Sequence, residues 1–216
     1  MKVIKTKIDK KDIAKMPIAA FKGKIVVIDT LVEAEKAVYY LMKLPIVGLD
    51  TETRPSFRKG QCFKVALMQV CAGNDICFLF RLNRLGMIEP LKQLMEAERP
   101  LKVGVSLRDD ILSLHRREDF RPKGIVELQN RVKEIGIKDM SLQKLFANFF
   151  GRKISKSQQL TNWEAPQLTS RQQLYAATDA WACIEIYKEL NRLEEVEGSY
   201  CLEVVPEPEP AHSINV

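Results

Sequence analysis

Two carboxylates, Asp50 and Glu52, stand two residues apart at the end of an apolar run over residues 46–49. Because alternate side chains of a strand share a face, both groups are expected to project to one point. Like charges held together repel, and burying them without a partner costs several kcal/mol. A divalent cation would remove that cost, and oxygen ligands suit Mg²⁺ or Mn²⁺ rather than Zn²⁺. The alternative is a solvated strand end at which both acids meet water.

A second polar pair, Tyr175 and Asp179, interrupts an otherwise apolar segment near the C-terminus. Residues four apart lie one above the other on the same face of a helix. A phenol and a carboxylate facing one way from an apolar helix are costly in a core and suit the wall of an active site. The alternative is a packed ring beside a solvated charge.

A further acidic pair, Asp109 and Asp110, is expected in the first turn of a helix that follows a strand. The helix dipole favours acids there whatever their function, so one of the two can be structural. Asp110 shares an i, i+4 face with Leu114 that is expected to look toward the sheet. The pattern therefore favours Asp110 as the functional residue and Asp109 as the structural one.

Secondary-structure elements must position these side chains. Along the sequence, the predicted strands come mainly first, and helices alternate with strands afterwards. This order indicates an α/β domain of three layers with a mixed sheet. The last helix has a capping box in Thr169 and Gln172. Strands are predicted over residues 25–28, 46–49, 63–70, 76–80, 101–105 and 125–128, and helices over 31–44, 87–98, 107–116, 129–135, 141–149 and 169–193.

Composition divides the chain into three parts. Residues 1–22 are rich in Lys, and either an ordered arm or a loose tail fits them; residues 23–193 form the predicted domain. Residues 194–216 carry six Glu and no Lys or Arg, contain a Pro/Glu run, and are predicted to be disordered. Residues 1–192 consequently carry a formal charge of +12. So basic a body favours a polyanionic partner such as nucleic acid, the alternative being charge that only aids solubility.

The cysteines and the hydropathy of the chain indicate in which cellular compartment the protein is expected. The five cysteines are odd in number, form no CxxC pair and in several cases sit in apolar runs, which favours reduced thiols in the cytoplasm. With only two histidines, neither near a cysteine cluster, a zinc site is not expected. No apolar run approaches the ~18 residues that span a bilayer, and the N-terminus lacks the apolar core of a secretory signal.

Three groups of residues, in this order along the chain, resemble the three motifs of the DEDD superfamily of 3′–5′ exonucleases. They are Asp50-x-Glu52, then Asp110 with Leu114, then Tyr175-x-x-x-Asp179. The tyrosine corresponds to the branch with Tyr in the third motif. Segments 65–70, 156–157, 161–169 and 173–181 are similar to ribonuclease D and the Werner-type exonuclease domain, so the resemblance covers about residues 23–192.

This resemblance implies a ribonuclease H-like fold with a mixed sheet of five or six strands and catalysis by two divalent ions, Mg²⁺ or Mn²⁺. It implies that Asp50 bridges both ions, that Glu52 and Asp179 complete one site, and that Asp110 serves the other. Tyr175 would orient the attacking water, because a phenol with a pKa of about 10 is a poor base at neutral pH. The products would be 5′-mononucleotides, with DNA slightly favoured over RNA by the third motif.

Three residues are candidate substrate contacts. Arg54 could reach the terminal phosphate or cover the strand end, and Phe57 could stack on the terminal base or cap the core. Lys156 could contact a phosphate or be a solvated surface charge. Trp163 is predicted to anchor the core. A binding module that kept the fold but lost turnover is the chief alternative, and the presence of all five predicted catalytic side chains argues against it.

Overall fold

The computed structural model describes residues 1–206. A six-stranded mixed sheet lies at its centre, and a long C-terminal helix crosses that sheet. The elements are β1 (Lys2–Lys5), α1 (Lys10–Lys15), β2 (Lys24–Ile28), α2 (Leu31–Leu41), β3 (Ile46–Glu52), β4 (Leu67–Ala72), β5 (Ile76–Phe80), α3 (Leu82–Leu85), α4 (Glu89–Glu96), β6 (Leu101–Gly104), α5 (Leu107–His115), β7 (Ile125–Glu127), α6 (Leu128–Glu134), α7 (Leu142–Phe150), α8 (Ser170–Glu195) and β8 (Tyr200–Glu203).

The main sheet has the strand order β2-β5-β4-β3-β6-β7. Strands β3, β4 and β5 pair antiparallel, whereas β2, β6 and β7 join their neighbours in parallel. Parallel pairs need crossovers, and helices provide them on both faces. The predicted mixed sheet of five or six strands is therefore confirmed, with six.

Two apolar cores lie on opposite faces of this sheet. One is formed with α6, α7 and α8 and contains the fully buried Trp163, as predicted; the other is formed with α2, α4 and α5. Sheets covered on both faces read as near-continuous apolar runs, which explains the composition of β3 and β4. The chain thus forms the predicted three layers.

Helix α8 begins at the predicted capping box: the Thr169 hydroxyl accepts from the Gln172 N–H, and the Gln172 side chain accepts from the Thr169 N–H. Further along, α8 approaches β3 closely. A Cβ built on Gly48 would lie 2.0 Å from the carbonyl oxygen of Ala180. The absence of a side chain at Gly48 lets the helix lie on the strand, and this contact sets the distance between carboxylates on the two elements.

Replacing Gly48 by Ala should therefore push α8 away from β3. We expect the free energy of unfolding to fall by about 3 kcal/mol, because the obstacle is helix backbone that cannot rotate aside. Urea unfolding measures this loss. Gly73→Ala is the control, since nothing lies within 4 Å of its added Cβ and only the positive φ of +70° costs energy, about 1 kcal/mol. Equal losses in the two variants would contradict a packing role for Gly48.

The two termini differ from the sequence prediction in part. Residues 1–22 include β1 and α1, so they form an ordered arm rather than a loose tail. The disorder predicted from residue 194 is wrong for Tyr200–Glu203, which pairs in parallel with Lys2–Lys5 as a second, two-stranded sheet. An ion pair between Lys2 and Glu189 joins β1 to α8. The Pro/Glu run at 206–210 lies almost entirely outside the described residues.

Strand β4 also starts later than predicted, at Leu67, because residues 53–66 form an irregular loop. All five cysteines are free: Cys62 and Cys201 are exposed, and the other three are buried. Within residues 1–206, no helix combines the length and apolar character that crossing a bilayer requires.

Candidate active site

Three of the predicted carboxylates meet where β3 passes under α8. Asp50 and Glu52 project from one face of β3, and Asp179 descends from α8, so that one ligand oxygen from each lies within 4.8 Å of the others. Glu52 and Asp179 are buried, and Asp50 is partly so. The side chains of Asp50, Glu52 and Asp179 therefore meet at one point. The i, i+2 spacing on the strand predicted this for the first two residues.

The fourth predicted carboxylate, Asp110, lies beside this group on α5. Its Oδ1 accepts a hydrogen bond of 2.6 Å from the Thr51 hydroxyl, which stands between Asp50 and Glu52 on β3. Asp109 is exposed, whereas Asp110 is partly buried. The structure thus separates the two neighbouring aspartates in the way predicted: only Asp110 faces the other carboxylates.

The start of α5 is held by residues whose part the sequence did not reveal. Ser106 has a left-handed backbone (φ 65°, ψ 28°), an uncommon conformation for a residue with a Cβ. Its N–H donates to Glu127 Oε1 at 3.0 Å, and Gln129 Nε2 donates to its hydroxyl at 2.9 Å. These bonds offset the backbone strain and fix the turn from which Asp110 projects. Glu127 and Gln129 are accordingly positioning residues.

A second missed positioning residue is Gln69, which is fully buried on β4 directly opposite Asp50. Its Nε2 donates a 2.7 Å hydrogen bond to Asp50 Oδ2 and so orients that carboxylate. The available signal was a lone amide in the otherwise apolar run of residues 67–72. A polar side chain at a fully buried strand position needs a partner, and that partner is here a candidate metal ligand.

Tyr175 lies one turn before Asp179 on α8, and its phenol lowers the pKa of that carboxyl against the effect of burial. Its ring is buried, with its centroid 6.0 Å from that of Trp163. Burial, together with the charges of Asp179 and Glu52, raises the pKa of the phenol far above its usual range. The hydroxyl consequently stays protonated and acts as a hydrogen-bond donor.

The crowded carboxylates hold their protons more tightly than usual. Burial, together with the charges of the three others, raises the pKa of Asp50 well above its ordinary value. Burial first, and then Asp179 and Asp110, raise the pKa of Glu52 to about 9. Burial raises the pKa of Asp110 to about 7 against the opposing Thr51 hydrogen bond, and that of Asp179 to about 7 against the Tyr175 hydrogen bond and the Lys156 charge.

This arrangement fits a divalent cation. Within residues 1–206 the buried carboxylate of Glu52 has no hydrogen-bond or ion-pair partner, and the charges nearest to it are those of other acids. An uncompensated buried charge is costly, and a bound cation would relieve it. The donors are all carboxylate oxygens, which suits hard ions such as Mg²⁺ or Mn²⁺.

Stability of the metal-free protein should therefore depend on pH. A carboxyl whose pKa is raised on folding stabilises the fold below its unfolded pKa and loses that contribution as the pH rises through the folded value. With folded pKa values of about 7 for Asp110 and Asp179 and about 9 for Glu52, the loss spans weakly acidic to alkaline pH. In chelator, we expect the free energy of unfolding to fall by at least about 3 kcal/mol between about pH 5 and about pH 9.

Urea unfolding at both pH values measures that fall, and added Mg²⁺ or Mn²⁺ should reverse most of it at alkaline pH, because the ions bind the ionised carboxylates. Glu52→Gln should flatten the dependence, whereas Asp109→Asn, which removes an exposed acid, should keep it. A fall of the same size in Glu52→Gln would show that the Glu52 carboxylate does not contribute to it.

The three candidate substrate contacts occupy different positions. Lys156 lines a cleft of about 220 Å³ together with Tyr175 and Asp179. Arg54 forms an ion pair of 3.4 Å with Glu164 and lies over the Phe63 ring. Phe57 is 83% exposed on the loop between β3 and β4, so it does not cap the core. Of the three, only Lys156 lines the cleft at the carboxylates.

The sheet and helices have a ribonuclease H-like arrangement, and three carboxylates that could hold a metal ion meet within it. More particularly, residues 25–194 match the family model described as a 3′-5′ exonuclease. The chain belongs to this 3′–5′ exonuclease family.

Two curated relatives illustrate the similarity. A 3′-5′ exonuclease of Arabidopsis thaliana is 32% identical over 199 residues, which cover 85% of this chain and 69% of the relative. The bifunctional 3′-5′ exonuclease/ATP-dependent helicase WRN of Mus musculus is 31% identical over 170 residues, or 76% of this chain. The chain spans only 12% of that much longer protein.

Solved structures share the fold at lower identity. The EXO domain of Aedes aegypti Nibbler superposes with a TM-score of 0.74 at 19% identity, covering 83% of this chain and 94% of that one. Ribonuclease D of Escherichia coli gives a TM-score of 0.70 at 21% identity, over 81% of this chain and 45% of the other. Ribonuclease D of Trypanosoma brucei in complex with RNA U12 gives a TM-score of 0.72 at 20% identity. The match covers 82% of this chain and 65% of that one.

Proposed function

We propose that this chain removes nucleotides one at a time from the 3′ end of a nucleic acid strand and releases 5′-mononucleotides. The observation that carries the proposal is the meeting of Asp50, Glu52 and Asp179 within 4.8 Å at a cleft that Tyr175 also lines. Membership of the 3′–5′ exonuclease family supports the direction of attack.

We assign Asp50, Glu52 and Asp179 to one divalent ion and Asp50 with Asp110 to a second, both Mg²⁺ or Mn²⁺. Such ions lower the pKa of an attacking water and stabilise a leaving 3′ oxyanion. Gln69 fixes the rotamer of Asp50, and Thr51 does the same for Asp110. Tyr175 holds its proton because burial raises the pKa of its phenol, so its proposed part is to position the water rather than to deprotonate it.

DNA is the proposed polymer in preference to RNA. The third motif resembles the Werner-type pattern, and the chain is 31% identical over 170 residues to the mouse exonuclease/helicase WRN. Structures of neighbours with RNA or a short pGG ligand support a nucleic acid as the bound class of molecule.

The test is hydrolysis of a strand labelled at its 3′ end. Labelled 5′-mononucleotide should appear with Mg²⁺ or Mn²⁺ and not in chelator, and a strand blocked by a 3′-phosphate should resist. Matched DNA and RNA strands, each single-stranded and recessed, then establish the polymer. Binding of all four without turnover, with either ion, would overturn the proposal in favour of a binding module.

A further inference from the structure

The N-terminal arm, residues 1–22, forms one wall of a cleft that starts at the carboxylates. Three cavities of about 220, 360 and 140 Å³ adjoin one another, since Ser155 lines all three and Ile154 and Lys156 line the first two. The first contains Tyr175 and Asp179, and the other two are bounded by residues of the arm, including Lys10, Ile13 and Ile18. We call these three cavities together the arm cleft.

The wall is built by main-chain hydrogen bonds rather than by loose contact. Ala19 N–H donates to the Lys153 carbonyl at 2.8 Å, and Lys153 N–H donates to the Pro17 carbonyl at 3.0 Å. Nearer the site, the Phe21 N–H donates to the Thr178 hydroxyl at 3.1 Å, next to Asp179 on α8. The arm lies outside residues 25–194, the part that matches the family model.

The charged side chains that line the arm cleft are mainly positive. Its lining contains four cations, Lys10, Lys153, Lys156 and Arg171, and Asp179 is the acid among the described lining residues. Lys153 is occupied, because its ammonium donates to the Ala14 carbonyl. The other three are exposed, and within residues 1–206 none of them has an ion-pair or side-chain hydrogen-bond partner.

Apolar side chains lie between these cations. Ile18 is 63% exposed and Leu174 is 39% exposed, and both line the smallest cavity beside Tyr175. Alternating cations and apolar surface suit a sugar-phosphate chain with unpaired bases.

We propose that the arm cleft binds the nucleotides on the 5′ side of the one being removed, as a single strand. Lys10, Lys156 and Arg171 hold phosphates, and Ile18 and Leu174 contact bases. The inference rests on the proposed function, because it takes the 3′ nucleotide to lie at Asp50, Glu52 and Asp179. It adds the arm to the substrate-binding surface.

The test compares two double variants that each remove two positive charges. Lys10→Ala with Arg171→Ala alters the arm cleft. Lys11→Ala with Lys36→Ala is the control, since both residues are exposed and neither lines the cleft. Affinity for a strand of about a dozen nucleotides is measured in the Asp50→Asn background, so that no turnover is needed.

The arm-cleft variant should bind this strand about tenfold more weakly, and its salt dependence should lose about 1.4 from the logarithmic slope, because two phosphate contacts disappear. Equal weakening in the control pair, or unchanged affinity in the arm-cleft pair, would overturn the inference. Wild-type inactivity on every substrate would instead overturn the proposed function, and the binding measurement would still decide the inference.

Discussion

Replacing Asp50 by Asn is expected to lower kcat by about 10³-fold or more while leaving the protein folded. Asp50 is the carboxylate on which the others converge, with Glu52 two residues along β3 and Asp179 above it on α8. Asn preserves the size of the side chain, and it can still pair with Gln69. What it removes is the negative charge that would hold the metal ions.

Asp50→Asn could be inactive because it lacks a metal ligand or because it is unfolded, and the free energy of unfolding distinguishes the two. The first explanation predicts a rise in this free energy, and the second predicts a fall. Burial and the charges of Asp110, Asp179 and Glu52 raise the pKa of Asp50, so the ionised group strains the metal-free protein. Removing that charge should raise the free energy of unfolding in chelator at alkaline pH, by about 1 kcal/mol or more. The protein would then be inactive because it lacks a ligand and not because it unfolds.

Steady-state release of the 3′ nucleotide at saturating substrate and Mn²⁺ measures the effect on kcat. Asp109→Asn is the matched control: it makes the same chemical change next to Asp110, at an exposed position outside the carboxylate group. It should remain within about twofold of wild type. Activity that survives in Asp50→Asn would show that the proposed metal assignment is wrong.

The site was predictable from the sequence to the extent that local geometry determines it. Alternation on a strand places Asp50 and Glu52 on one face, and helical spacing does the same for Tyr175 and Asp179. The carboxylate Asp110 was separable from Asp109 by the face it shares with Leu114. These inferences need only the periods of the two elements, and the structure brings Asp50, Glu52 and Asp179 together with Asp110 beside them, bonded to Thr51.

The parts that escaped prediction depend on contacts between residues distant in sequence. Gln69 gains its role from the residue opposite it on another strand, and Glu127 from the left-handed turn at Ser106. Strands β1 and β8 are four residues each and pair across nearly the whole chain. Neither has a pattern strong enough to predict a strand alone, because each is completed by the other.

The close packing of α8 on β3 links the fold to the site. Gly48 lies two residues before Asp50, and Ala180 directly follows Asp179. The contact between Gly48 and the Ala180 carbonyl therefore fixes the separation of two candidate ligands one to two residues away. A glycine in the middle of a central strand weakens the strand, and here the gain is the meeting of the carboxylates.

Replacing Tyr175 by Phe should lower kcat by about 10²-fold with little change in KM. The ring would still pack near Trp163, so the variant loses only the hydroxyl. Tyr175 is buried, and burial raises the pKa of its phenol so that it keeps its proton beside Asp179. Its proposed part is to hold the attacking water in line, an interaction that matters in the transition state more than in substrate binding.

The dependence of kcat/KM on pH separates positioning from base catalysis. Because burial raises the pKa of the Tyr175 phenol far above its usual range, wild type and Tyr175→Phe should show the same pH profile, displaced to a lower rate in the variant. Tyr187→Phe is the control, since it removes a phenol from the same helix at a residue outside the arm cleft. If wild type showed an ionisation that Tyr175→Phe lacks, the phenol would be acting as a base and the positioning role would be wrong. The values of kcat and KM, together with the dependence of kcat/KM on pH, therefore test whether Tyr175 acts by donating a hydrogen bond.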